Sequence, residues 1–197
     1  MFDIQVIGIK FASRNQYGDF LWMSRQNKYS NSLFLFNDNE EHHCTSFSGG
    51  GNAVMRMFNK YSTMDKPLSA GIPTGTIGSG GYDKFTPEIK KTIDDAFEEI
   101  IELIIAHNYS TIYFSSEVDG KLGTSIFAVN PKVIEYITSK IYKLSFKPIQ
   151  IIKTLSNDAF DNEFNFDDDV MDADTIDTDA DTVDDNHNDV DKMSTPE

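Results

Sequence analysis

Short runs of apolar residues, rich in β-branched side chains, recur along the chain and predict buried strands. The first run places Ile4, Val6, Ile7, Ile9 and Phe11 within ten residues. Another, the run 32–36, reads Ser-Leu-Phe-Leu-Phe and stops at a polar turn over residues 37–40. Strands are predicted over residues 3–12, 20–24, 32–36, 68–73, 111–114 and 149–155.

Between these runs the apolar residues recur three and four positions apart, which predicts helices. The best of them covers residues 86–107, where Thr86 is a good N-cap and Pro87 suits the first helical position. Asn130 and Pro131 repeat this pattern at the start of a helix that extends to about residue 144. A shorter helix is predicted over residues 53–61.

Strands that alternate with helices predict an α/β fold with a mixed, largely parallel sheet covered on both faces. In such sheets, ligands bind beyond the carboxyl ends of the strands. Three polar or glycine-rich loops follow predicted strands, over residues 37–52, 74–81 and 115–125. If the strands are parallel, these loops meet at one edge of the sheet, and we expect the functional site there.

The charge of the chain is divided very unevenly. The net charge is −15, yet residues 1–156 contain 16 acidic and 16 basic residues, whereas residues 157–197 contain 16 acidic residues and one lysine. The sequence therefore predicts an α/β domain over 1–156 and a disordered acidic tail over 157–197. The tail either solubilises the chain or binds a basic partner by mimicking nucleic acid. A neutral domain is not expected to bind nucleic acid directly.

Few other classes of protein fit the composition. Cys44 is the one cysteine, so no disulfide framework is possible, and no apolar stretch is long enough for a membrane span. We expect a cytoplasmic location, in the host cytoplasm if the protein is viral. The adjacent residues His42, His43 and Cys44 lack a second ligand cluster, so neither a metal nor a cofactor is predicted.

Two glycine-rich turns are candidate phosphate sites, because glycine lets a ligand approach the backbone closely. The first glycine turn, residues 49–52, comes directly before a helix, and its alternative role is a flexible bend. The second glycine turn, residues 120–125, adds a lysine and two hydroxyls, and its alternative role is a hairpin turn with Asp119 and Gly120 at the tip.

Polar and small residues at two further strand ends complete the candidate site. Asp38 and Asn39 suit hydrogen bonds to a ribose or a base, although an Asx turn that ends the strand is an equal alternative. Gly71 and Thr74 flank a rigid Ile-Pro turn, where the backbone can approach a ligand or the strand simply ends.

The core resembles a group of uncharacterised bacteriophage proteins that are distantly similar to macro domains. The segments that carry the resemblance are LFNDN (35–39), GGGNA (49–53), AGIPT (70–74) and KLGTS (121–125). The resemblance implies a three-layer α/β/α fold and a cleft for ADP-ribose or a related nucleotide. It also suggests that a phage protein of this kind removes or sequesters a host defence nucleotide.

If the chain is an enzyme, the resemblance implies hydrolysis of an ADP-ribosyl bond, with Asp38 or Asp119 orienting or activating a water. The predicted ligand-binding residues are Asn39, Gly49, Gly50, Gly51, Asn52, Gly71, Thr74, Gly120, Gly123, Thr124 and Ser125. The alternative is a non-enzymatic inhibitor that binds a basic host or viral partner through its acidic tail.

Overall fold

The computed structural model describes residues 4–78, 80–125 and 127–145. The predicted strand 149–155, the domain boundary at residue 156 and the predicted tail 157–197 lie outside these residues.

The described strands form one four-stranded sheet in the order β1-β4-β2-β3. They are β1 (Gln5–Ile9), β2 (Ser32–Asn39), β3 (Ser69–Gly75) and β4 (Thr111–Ser115). All three neighbouring pairs are parallel. The predicted α/β class is therefore confirmed, and the described sheet is parallel throughout.

Within the described ranges there are three α-helices and three 3₁₀ helices, of which all but the last α-helix lie between strands. The 21-residue helix over residues 87–107 begins as predicted, because the Thr86 side chain accepts a hydrogen bond from the Ile89 N–H. Asn130 likewise accepts from the Lys132 N–H at the start of the last helix. The α-helices are α1 (Phe20–Ser24), α2 (Pro87–His107) and α3 (Pro131–Lys143), and the 3₁₀ helices are Asn27–Tyr29, Glu40–His42 and Gly51–Phe58.

Three local predictions need correction. Residues 20–24 are helix α1 rather than a strand, because Asp19 caps the Trp22 N–H and packing buries Phe20 and Met23, three positions apart. The polar residues after position 36 continue β2 to Asn39, since they pair with β3 as far as Gly75. The helix predicted over 53–61 is a 3₁₀ helix that begins two residues earlier and ends at Phe58.

Side chains that alternate along β2 enter two separate apolar clusters. Leu33 and Leu35 pack in the cluster that contains the buried faces of α2 and α3. Phe34 and Phe36 pack in a second cluster with residues of α1 and the 3₁₀ helix Gly51–Phe58. Full burial of a leucine or phenylalanine side chain stabilises the fold by about 1.5–3 kcal/mol, so these four side chains make β2 a large contributor to both clusters.

A polar contact also joins α2 to α3. Asp94 of α2 accepts hydrogen bonds from the Tyr136 hydroxyl (2.5 Å) and from Lys90 (3.1 Å), and it forms an ion pair with the buried Lys140 of α3. Burial alone would raise the pKa of Asp94, but the hydrogen bonds from Lys140 and Tyr136 outweigh burial and lower it below its usual value.

None of the helices in the described part of the chain is both long and apolar enough to cross a membrane.

Candidate functional site

The carboxyl ends of all four strands lie at one edge of the sheet, because every described pair is parallel. The segments that follow β2, β3 and β4, which were predicted as loops over 37–52, 74–81 and 115–125, therefore leave the sheet at the same edge, as predicted. Residues 37–39, 74, 75 and 115 belong to the strands themselves. This edge opens between β2 and β4, since their pairing stops at Leu35 and Phe114 while β2 continues to Asn39.

Asn37 bridges the opening between the two strands. Its amide Nδ2 donates a hydrogen bond to the Gly123 carbonyl (2.7 Å), and the Gly123 N–H donates to the Ser115 carbonyl (2.9 Å). The second glycine turn is thereby attached to the ends of both strands. The Asn37 amide oxygen is buried and finds no hydrogen-bond donor among the described residues. Asn37 thus holds a buried acceptor without a described partner at this edge of the sheet.

Asp38 points to the other face of the sheet and forms a buried ion pair with Arg56. The Arg56 Nε lies 3.0 and 3.3 Å from the two carboxylate oxygens, and Nη2 contacts Oδ1. The Asp38 side chain is 0% exposed and that of Arg56 is 3% exposed. Arg56 also donates to the Phe47 carbonyl (3.0 Å), so it holds the loop before the first glycine turn against β2.

Sequence reasoning missed Arg56, although a signal was present. Arg56 is the one charged residue in the segment Ala-Val-Met-Arg-Met-Phe, which is otherwise apolar. A lone charge among residues that pack against a sheet needs a buried partner. Asp38, predicted as a site residue, is that partner.

The first glycine turn leads into the 3₁₀ helix next to this ion pair. The Gly49 N–H donates to the Ala53 carbonyl (3.0 Å), and a Cβ on Gly49 would lie 3.1 Å from Arg56 Nη1. Gly51 has φ +56°, a left-handed conformation that favours glycine. A Cβ on Gly50 or Gly51 would meet nothing within 4 Å, so both residues border open space.

The second glycine turn is partly a hairpin. Ser116 and Leu122 form an antiparallel bridge, and Gly120 has φ +82° at the tip. Asp119 is exposed and accepts a hydrogen bond from the Lys121 N–H (3.1 Å). The hairpin tip also contacts α3, because the Tyr142 hydroxyl donates to the Gly120 carbonyl (3.0 Å).

Thr124 and Ser125, at the end of the second glycine turn, do not take part in the hairpin bridge. Thr124 donates from its hydroxyl to the Phe127 carbonyl (3.0 Å), and Ser125 has φ +58° although it is not a glycine. Gly123 is therefore the residue of this turn that the structure joins to β2, while Asp119 and Gly120 lie at the tip of the hairpin.

The predicted residues of β3 contact Asp38. A Cβ on Gly71 would lie 2.9 Å from Asp38 Cβ, so only glycine leaves room for this carboxylate. The Thr74 hydroxyl lies 3.4 Å from the Asp38 carbonyl. Asn39 lies at the same place, with its amide oxygen 3.4 Å from Arg56 Nη2. The backbone at Gly71 therefore makes a close approach, as predicted, but to the Asp38 side chain.

Sequence reasoning also missed a polar cluster on the outer side of β3, centred on Glu99. Its carboxylate accepts from Lys60 (3.0 Å) and from the Tyr61 hydroxyl (2.9 Å). Burial, followed by hydrogen bonds to Cys44 and Glu99, raises the pKa of Tyr61 above its usual range. These contacts join α2 to a loop 38 residues away, so no local sequence pattern could reveal them.

His43 lies between Glu99 and Asp38. Its Nε2 is 3.6 Å from Glu99 and its Nδ1 is 4.0 Å from Asp38, and both nitrogens are buried without a hydrogen bond to any described residue. A cavity of about 10 Å³ beside His43 has room for roughly one water. Among the residues that the structure describes, no group of three or more His, Cys, Asp or Glu side chains could hold a metal ion.

The structure defines an α/β protein with a parallel sheet, in which the end of strand β2 bonds to the second glycine turn through Asn37 and lies next to the first through the Asp38–Arg56 ion pair. No protein-family model, curated protein or solved structure matches the chain.

Proposed function

We propose that the chain binds a nucleotide or an ADP-ribose-like ligand at the carboxyl edge of the sheet, between the two glycine turns. The observation that carries this proposal is that side chains at the end of β2 bond to the second turn directly and lie next to the first through Arg56. Asn37 bonds to Gly123 in the second turn, and Asp38 holds Arg56, whose guanidinium lies beside Gly49 in the first turn.

The first glycine turn is suited to the phosphate groups of such a ligand. The first N–H groups of a helix have no partner within the helix and carry partial positive charge. Here they follow Gly50 and Gly51, which border open space, so an anion could approach them closely. In this proposal the N–H groups of Gly51 and Asn52 hold one phosphate, and the backbone from Gly123 to Ser125 approaches the other.

Asn37 argues for a sugar next to the phosphate. A buried acceptor that lacks a donor costs about 1–3 kcal/mol, and a ligand hydroxyl would satisfy the Asn37 oxygen. Phosphate oxygens are acceptors and could not do so. A ligand that carries both phosphates and hydroxyl groups, as ADP-ribose does, therefore fits this edge better than a simple anion.

The proposal includes the three-layer, macro-domain-like arrangement and a role in a phage that sequesters or degrades a host nucleotide. If the protein hydrolyses ADP-ribosyl bonds, the two predicted aspartates would act differently. The buried Asp38 carboxylate is bound to Arg56, which suits an orienting role, whereas the exposed Asp119 is free to meet a water. General base catalysis of this kind typically accelerates a reaction about 10²- to 10⁴-fold.

The test is calorimetry of the full chain with ADP-ribose, NAD and cyclic nucleotides, with ribose and inorganic phosphate as controls. Gly50→Glu places a negative charge at the proposed phosphate position, and Gly50→Ser is the matched control of similar backbone demand. Gly50 has φ −79° and open space around it, so both variants should fold. We expect Gly50→Glu to weaken binding at least about tenfold, equivalent to 1.4 kcal/mol, and Gly50→Ser to bind like the original. Absence of heat with every nucleotide at millimolar concentration would refute the proposal.

The uneven charge distribution supports a second function. We propose that the acidic segment 157–197, with 16 acidic residues and one lysine, binds a basic protein partner. The acidic residues of this segment lie outside residues 1–156, which carry the glycine turns and have 16 acidic and 16 basic residues, so this function does not require the ligand site.

A further inference from the structure

His43 lies on the outer side of β3, where two carboxylates face its ring. Nε2 lies 3.6 Å from Glu99 and Nδ1 lies 4.0 Å from Asp38, and both distances are too long for a direct hydrogen bond. Both nitrogens are buried and bond to no described residue. Buried polar groups in proteins are nearly always hydrogen-bonded, so the ring of His43 needs a further partner.

The cavity beside His43 has room for such a partner. Its volume of about 10 Å³ is roughly enough for one water molecule. Glu99 lines the cavity together with His43, whereas Asp38 does not, so Nε2 is the ring nitrogen on the cavity side. A ligand larger than a water or a small ion does not fit in this space.

Strand β3 offers hydrogen-bond donors to the same cavity. Ser69 and Gly71 are among the residues that line it. The Leu68 carbonyl accepts from the Phe34 N–H of β2 (2.9 Å), and the backbone groups of successive residues in a parallel strand alternate in direction. The N–H groups of Ser69 and Gly71 therefore point away from β2, to the side where the cavity lies.

The charges around His43 cancel, which decides between a water and an ion. Asp38 is paired with Arg56, and Glu99 is paired with Lys60 at 3.0 Å. Each carboxylate therefore has its own cation, and the cluster is neutral when the imidazole is neutral. An ion in the cavity would add an unpaired charge to a largely buried site, which costs far more free energy than a neutral occupant.

The proton of a neutral His43 ring has one favourable position, because one ring nitrogen donates a hydrogen bond and the other accepts one. The Asp38 carboxylate is fully buried, and a bare Nδ1 would set two acceptors against each other where water does not screen them. The proton therefore belongs on Nδ1, and Nε2 is the acceptor on the cavity side. One water has two O–H groups, which match the two acceptors there, Nε2 and the Glu99 carboxylate.

We infer that the cavity binds one water molecule, which donates hydrogen bonds to His43 Nε2 and to the Glu99 carboxylate, and that His43 is the Nδ1–H tautomer. The water oxygen accepts from an N–H on the outer side of β3, where Gly71 offers one. The water thereby joins β3 and α2 to the loop that leads from His43 to the first glycine turn. This site does not depend on a nucleotide ligand.

The experiment is NMR of the full chain at about pH 7.5, above the range in which an ordinary histidine is charged. Long-range correlations between ring nitrogens and ring C–H protons identify the tautomer, and His42, the half-buried neighbour of His43, is the control. We expect His43 to show a protonated Nδ1 and a bare Nε2, whereas His42 should show the Nε2–H form that histidine prefers in water. We also expect a bound-water nuclear Overhauser effect (NOE) at the Gly71 amide and none at the Ile72 amide, which faces β2.

His43→Phe keeps an aromatic ring but removes both nitrogens, and it should reduce the water NOE at Gly71 at least about fivefold, because the water loses one of its partners. An unchanged Ile72 amide signal shows that the variant is folded, and the two measurements on the unmodified chain decide the proposal if it is not. A bare Nδ1 or a doubly protonated ring in the unmodified chain would overturn the proposal. A Gly71 amide without a bound-water NOE, or with one that His43→Phe leaves unchanged, would also overturn it.

Discussion

Arg56→Met tests the buried ion pair at the end of β2. The substitution keeps most of the side-chain volume but removes the guanidinium from a carboxylate that is 0% exposed. Of the donors around Asp38, the Asn39 N–H at 2.9 Å then remains, and His43 stays 4.0 Å away. Removal of one member of a buried pair typically costs 3–5 kcal/mol, because the remaining charge is desolvated without compensation. We therefore expect the free energy of unfolding to fall by about 4 kcal/mol.

Urea unfolding followed by Trp22 fluorescence measures this loss. Trp22 is the one tryptophan, and it packs against the apolar cluster that contains Phe34 and Phe36 of β2. Arg25→Met, at an exposed arginine that ends α1, is the matched control and should change stability by no more than about 0.5 kcal/mol. The double variant Asp38→Asn, Arg56→Met should recover at least about 2 kcal/mol relative to the sum of the single effects. A loss below about 1 kcal/mol for Arg56→Met, or strict additivity, would refute the reasoning.

Three further predictions concern separate parts of the molecule. Gly71→Ala should destabilise the fold by about 1–3 kcal/mol in urea unfolding, because its methyl group would overlap a buried carboxylate, whereas Gly50→Ala, which faces open space, should be nearly neutral. Asp94→Asn should cost about 2 kcal/mol at neutral pH, since hydrogen bonds to the charged carboxylate are lost. The folded-state pKa of Asp94 is lowered, so this difference should persist above pH 3.8 and vanish as the pH falls through the folded value. Truncation after Ser156 should abolish salt-sensitive capture of a basic protein in a pull-down and leave nucleotide binding in calorimetry unchanged; loss of both would contradict two independent functions.

Local chemistry explains which elements could be predicted from the sequence. The N-caps Thr86 and Asn130 form hydrogen bonds with residues two or three positions away, so a short sequence segment is enough to predict them. The apolar runs of β1, β2 and β4 were equally visible, because strands of a parallel sheet are packed on both faces and have continuous apolar sequences.

Helix α1 shows where such signals fail. Its sequence Phe-Leu-Trp-Met-Ser contains large apolar side chains that suit a strand as well as a buried helix. Five residues are too few for the apolar spacing to separate the two structures. The features that mark the helix precede it, where the Asp19 side chain caps the Trp22 N–H and Gly18 has φ +101°.

The candidate site was predictable as an edge but not as a set of contacts. The glycine turns and polar strand ends predicted which loops contribute to the candidate site. Parallel pairing predicted that these loops begin at the same edge of the sheet. The bonds of Asn37 to Gly123 and of Asp38 to Arg56 span 86 and 18 residues, respectively. Contacts at such separations depend on strand order, which the sequence pattern leaves open.

The end of β2 contributes to both the fold and the proposed site, and this determines which substitutions can test function. Asp38 is so deeply buried that its replacement would alter stability whether or not a ligand binds there. A side chain added at Gly50 would meet nothing within 4 Å, so a charge placed there acts on a ligand and not on the core. Asn37 is intermediate, because its Nδ2 is bonded to Gly123 while its oxygen is unused. Loss of binding in Gly50→Glu with unchanged stability would therefore identify the site, whereas loss of binding in an Asp38 variant alone would identify only the core.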